Sequence, residues 1–106
     1  MSVDLLEDAE AAQAAQAFAA LGAPQRLAIL RCLVRAGPTG LPVGALGDRL
    51  GVAPSTLSHH ISALVRADLI GQRREGRSLL CHAKFDRVEG LAAYLVRECC
   101  RDEGPR

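Results

Sequence analysis

A chain of 106 residues is one domain's worth, with room for a core but small enough that a second copy would help it. Its net charge of +1 is no polyanion-binding signature, and no run of about 18 apolar residues is present to cross a membrane. Met1-Ser2-Val3-Asp4 lacks the basic and apolar regions of a secretory signal, so the expectation is a cytoplasmic protein whose four cysteines are reduced thiols.

Charge is unevenly placed. Asp4, Glu7, Asp8 and Glu10 stand in residues 1–22 without a basic residue, whereas residues 23–106 hold all 13 basic residues against eight acids. Residues 4–21 are Ala-rich, with Leu5, Leu6, Ala9, Ala12, Phe18 and Leu21 in a rough helical stripe, and acids in the first turns suit the helix dipole. Such an Ala-dense face suits close helix approach, as in a docking or dimer helix. Gly22 ends it, and Pro24 opens a second helix over 24–36 with Leu27, Ile29, Leu30, Leu33 and Val34 apolar. Cys32 reads there as a small buried apolar residue.

After Gly37-Pro38-Thr39-Gly40, a short helix over 43–50 buries Val43, Leu46 and Leu50 and stops at Gly51. Ser55 is positioned to cap a fourth helix running to 67, with Leu57, Ile61, Leu64 and Val65 inward. The period then changes to two. Residues 69–74 and 77–82 read as strands joined by Glu75-Gly76, and 86–101 reads as a last helix with Val88, Leu91, Ala92, Leu95, Val96 and Cys99 apolar. The predicted fold is mainly α with a β-hairpin wing: a single winged helix-turn-helix domain over 1–106, its helix-turn-helix at 43–67 and its wing at 69–83.

A helix-turn-helix presents small polar side chains from its second helix to base edges. Ser55, Thr56, Ser58, His59 and His60 occupy that place, and Arg73, Arg74 and Arg77 flank the hairpin, where guanidinium groups reach phosphates or a minor groove. His59-His60 diverge as neighbours on a helix, with no acid or cysteine at helical spacing to complete a metal site. No nucleophile–base pair, phosphate loop or carboxylate pair suggests an enzyme. A protein-interaction module is the reading from another class, since winged helices serve that use too.

Three segments carry a resemblance across about residues 14–101: Phe18-Ala-Ala-Leu-Gly-Ala-Pro-Gln-Arg26-Leu-Ala-Ile-Leu30, Thr56-Leu-Ser-His-His-Ile-Ser-Ala-Leu64 and Arg74-Glu-Gly-Arg77. Together they resemble the ArsR/SmtB family of metal-responsive repressors. That resemblance implies a homodimer built on the first and last helices (4–21 and 86–101). It also implies double-stranded palindromic operator DNA as partner, and release when a metal or metalloid binds Cys or His. The family's Cys-x-Cys arsenic site, on the helix before the recognition helix, has no counterpart in Val43-Gly-Ala-Leu-Gly-Asp48. Its zinc site is matched only by Asp86 and Glu98, because His82 precedes the helix.

Cys99-Cys100 remains. The pair is similar to the ending of a subgroup with a C-terminal Cys-Cys arsenical site. Neighbouring helical residues point about 100° apart, so two adjacent thiols do not bury equally on one face. Soft thiolates select thiophilic acceptors, which points to trivalent arsenic (arsenite or methylarsenite) or antimonite as inducer rather than a permanent cofactor. No cysteine follows Cys100, so a third ligand would be Cys81, a solvent oxygen or none. Cys81 lies about 24 Å away along the predicted last helix, so it would come from the partner copy. Thiol redox or persulfide sensing, and zinc or cadmium sensing, are the alternatives within the same fold.

Overall fold

The computed structural model describes residues 9–103. In chain order these form α1 (Ala9–Leu21), α2 (Pro24–Ala36), β1 (Leu41–Pro42), α3 (Val43–Leu50), α4 (Pro54–Arg66), β2 (Ile70–Glu75), β3 (Ser78–Ala83) and α5 (Phe85–Val96), followed by a 3₁₀ turn at Arg101–Glu103. The order is that of a winged helix-turn-helix domain, with β2–β3 as the wing.

α1 packs through Ala14, Ala17 and Ala20, small side chains three residues apart that bring its backbone close to the core. The expected stripe differs: Ala9 and Ala12 face outward, and Leu5 and Leu6 lie outside the described residues. On α2, Ile29, Leu30 and Leu33 form the buried face. Leu27 and Val34 remain 44% and 38% exposed, because they stand about 100° around the helix from that trio.

α3 and α4 make the helix-turn-helix. Gly51 ends α3 in the left-handed conformation at φ 65°. Gly47 lies at the crossing of the two helices, where a Cβ would sit 3.1 Å from Leu57 and 3.3 Å from the Val52 carbonyl. Leu46, Leu57, Ile61 and Leu64 fill the space between them and the sheet. Ser55 does not cap α4. Ala53 takes that position and Pro54 begins the helix, its fixed φ and missing N–H suiting the first turn. The Ser55 hydroxyl is therefore on the surface.

β2 and β3 pair antiparallel from Ile70↔Ala83 to Glu75↔Ser78, leaving Gly76 and Arg77 as the turn. A two-residue strand that periodicity did not reveal, β1, adds to the other edge of β3 through Leu41↔Cys81 and Pro42↔Leu80. Proline is tolerated on that edge because its missing N–H faces away from the ladder. Gly40, at φ 76°, permits the approach; a Cβ there would collide with the Cys81 carbonyl.

The last helix is shorter than predicted. α5 stops at Val96, and 97–100 continue as turns, so Cys99 and Cys100 lie beyond the helix rather than on it. Leu91 is the buried residue of α5, whereas Leu95 and Val96 are 65% and 64% exposed and Ala92 faces outward. Past Leu91 little packing within the chain supports the helix, and most helical stability in proteins comes from such packing. Arg97 nevertheless ties this end to α1 through Glu10 at 2.9 and 3.2 Å, and Arg87 donates to the Gln13 carbonyl at 3.2 Å.

No single helix among the described residues is long and apolar enough to cross a membrane. α1 and α2 together have the composition for it, but they bend by 101° at their junction and turn their apolar faces into the core.

Candidate nucleic-acid interface and thiol pair

The outer surface of α4 is a polar stripe. Leu57, Ile61 and Leu64 anchor one side of the helix, and Ser55, His59, Ser62 and Arg66 recur on the opposite side at helical spacing, all exposed. Ser58 borders the stripe on one side and Thr56 on the other. Ser62 and Arg66 extend the surface expected from sequence by two turns. The signal for them was the same spacing that places Ser55 and His59.

His60 is placed differently. Its Nδ1 accepts a hydrogen bond from Arg26 Nε at 3.1 Å, so Nε2 carries the proton and donates to Gln25 Oε1 at 2.6 Å. Neither ring nitrogen is left for a base or phosphate, and the residue fastens the recognition helix to the start of α2. Partial burial lowers the His60 pKa from 6.5, with the Arg26 guanidinium and then His59 adding to the shift.

The wing arginines also divide. Arg73 is clamped, donating from Nε to Glu75 at 3.0 Å and from Nη2 to the Thr39 carbonyl at 2.8 Å. It therefore joins the wing to the loop before β1. Arg74 and Arg77, at the tip, are exposed and engage no described side chain. Those two are the wing charges left exposed to solvent.

Cys99 and Cys100 are both exposed, with Sγ atoms 3.5 Å apart. Two neighbouring side chains converge here because the chain has left the helix. Cys100 adopts the left-handed conformation at φ 65°, which swings its thiol back to that of Cys99. Hydrogen bonding to Cys99, then to Glu103, pushes the Cys100 thiol above its ordinary value. Cys81 sits elsewhere, wholly buried on β3 under Gln72, whose Nε2 lies 3.6 Å from the sulfur. Burial raises the Cys81 pKa, the Gln72 contact opposing it. Among the described residues no three His, Cys, Asp or Glu side chains gather where a metal ion could be held.

The architecture and its polar recognition helix define a winged helix-turn-helix protein. Comparison with known proteins agrees. Residues 21–73 match a helix-turn-helix domain family. The nodulation protein NolR of Rhizobium meliloti is 37% identical over 82 residues, covering 77% of this chain and 63% of NolR, so the chain spans less than two thirds of that relative. An ArsR-like transcriptional regulator from Rhodococcus sp. RHA1 superposes with a TM-score of 0.74 at 27% identity, over 87% of this chain and 84% of that one. The homodimeric winged helix-turn-helix DNA-binding domain of Mb0332 from Mycobacterium bovis, a possible ArsR-family regulator, gives 0.69 at 28% identity over 92% and 91%. The chain belongs to the ArsR family of transcriptional regulators, which agrees with the absence of any enzyme signature in its sequence.

Proposed function

We propose that this chain is a homodimeric repressor that holds a palindromic operator and leaves it when a trivalent arsenic or antimony compound joins Cys99 and Cys100. The DNA half of this reading is supported by the exposed Ser55–His59–Ser62–Arg66 stripe and the free Arg74 and Arg77. A dimer places two such helices one helical turn apart, about 34 Å, on successive major grooves. The dimer itself is supported by Leu95 and Val96, apolar side chains left uncovered at the end of α5. The M. bovis neighbour is homodimeric in its own right.

The single observation behind the inducer is the 3.5 Å contact between two exposed thiols. Vicinal sulfurs already touching suit a small pyramidal centre that takes two of them, and thiolate donors select soft acceptors. Each thiol gives its proton to a hydroxide on the trivalent centre, which leaves as water, so no oxidant is needed. A methylated arsenical, with one position held by carbon, asks for two thiols only. Arsenite or antimonite would take a third donor from solvent or from the partner's copy of this chain. A structural zinc site uses four donors, and within one chain the described residues bring no three together. The same sulfur contact also favours oxidation or persulfide formation as a second reading.

Titrating operator-bound protein in parallel with arsenite, antimonite, methylarsenite, zinc and cadmium tests the proposal. Release by the trivalent metalloids at stoichiometric concentrations is expected. Release by zinc alone would contradict it, and release by peroxide or polysulfide with a matching mass shift at Cys99–Cys100 would favour the redox reading. Absence of any salt-dependent shift on the gene's own promoter would remove the DNA function itself.

A further inference from the structure

Among the described residues, the arginines without a described partner fall into two groups. Arg66, Arg74 and Arg77 belong to the surface described above. Arg31, Arg35 and Arg49 do not, yet they too engage no described partner, while Arg26, Arg73, Arg87, Arg97 and Arg101 are each held by a hydrogen bond or ion pair. All three line one cleft of about 510 Å³ between α2 and α3. Ala28, Cys32 and Leu50 complete its wall, and no carboxylate lines it.

We propose that this cleft binds a small phosphorylated anion. Three exposed cations on two adjacent helices give this cleft a positive potential that draws an anion. The planar fork of a guanidinium matches phosphate oxygens two at a time. The volume falls within the range of small-ligand sites, about 300–1,000 Å³, and is larger than a single inorganic ion requires. Ala28 and Leu50 offer an apolar wall for the organic part of such a ligand. Its occupant would bridge the scaffold helix α2 to the first helix of the helix-turn-helix, at the turn that leads into α4. The site is distinct from the thiol pair and stands whether or not Cys99 and Cys100 bind a metalloid.

Cys32 supplies the readout, because its half-buried thiol forms part of the cleft wall. Alkylation of Cys32 by neutral iodoacetamide is followed by peptide mass spectrometry in the full chain, with pyrophosphate or ADP added at constant ionic strength. The expected result is saturable protection, about fivefold when ligand is about four times Kd, following 1 + [L]/Kd. Protection should vanish in Arg31→Gln/Arg35→Gln and persist in Arg74→Gln/Arg77→Gln. No protection, equal protection by sodium chloride, or protection retained in Arg31→Gln/Arg35→Gln would overturn the proposal. So would protection by duplex DNA but not by pyrophosphate or ADP, which would assign these arginines to the DNA backbone.

Discussion

The recognition helix and the C-terminal turn are built on opposite principles. α4 is held from beneath by Leu57, Ile61 and Leu64 and from the side by the Gln25–His60–Arg26 contacts, so its polar stripe is positioned by one chain alone. The C-terminal turn has no such bed: Leu95 and Val96 lie open and the two thiols touch each other rather than the core. A reading surface must keep one geometry to match a groove. A switch must have two, and segments that move are drawn from the weakly packed parts of a fold. In the proposed repressor the partner copy supplies what the second region lacks.

Substitutions in the two regions should differ in kind. Leu64→Ala, beneath the recognition helix, should destabilise the fold by about 2–5 kcal/mol in urea unfolding. A loss much below this would mean the helix is less firmly seated than its burial implies. Leu95→Glu should leave the single-chain fold intact and weaken self-association by roughly tenfold or more, about 1.4 kcal/mol, in analytical ultracentrifugation. An unchanged dimer would place the interface elsewhere.

Removing charge at the wing separates free from clamped arginines. Arg74→Ala/Arg77→Ala removes two cations from each copy of the proposed dimer and should lower the slope of log K against log salt by about 4 with little change in melting temperature. Arg73→Ala should instead loosen the wing, because it breaks the bond to the Thr39 carbonyl.

The smallest effect expected is at His60. Its folded pKa is depressed below 6.5, so the unfolded chain binds more protons in that window. The contribution is therefore present above pH 6.5 and lost as pH falls through the folded value. Urea midpoints measured between pH 5 and 7.5 should fall on the acid side for the wild type and less so for His60→Gln. Equal pH dependence in the two proteins would deny His60 its place in fastening α4.

Much of this was legible in the chain. α2, α3 and the hairpin follow from periodicity and punctuation by Gly22, Pro24, Gly51 and Gly76, which act locally. β1 was not legible: two residues have no period, and their pairing depends on Cys81, forty positions away from Leu41. His60 looked equivalent to His59, since only the path of α2 reveals which of them faces Gln25 and Arg26. Arg73 likewise resembled Arg74 until the Thr39 carbonyl was placed beside it. The end of α5 differs from the sequence expectation because an apolar repeat records a face that something covers, and the described residues leave Leu95 and Val96 65% and 64% exposed. With the helix ending at Val96, the thiol pair is two touching side chains on a turn rather than two diverging helix positions.

Whether this turn is the switch is decided by operator binding of the wild type and Cys99→Ser/Cys100→Ser with increasing methylarsenite. Both proteins should bind DNA without it, and only the wild type should weaken, by roughly 10- to 100-fold. Equal release of the doubly substituted protein would contradict a switch at this turn.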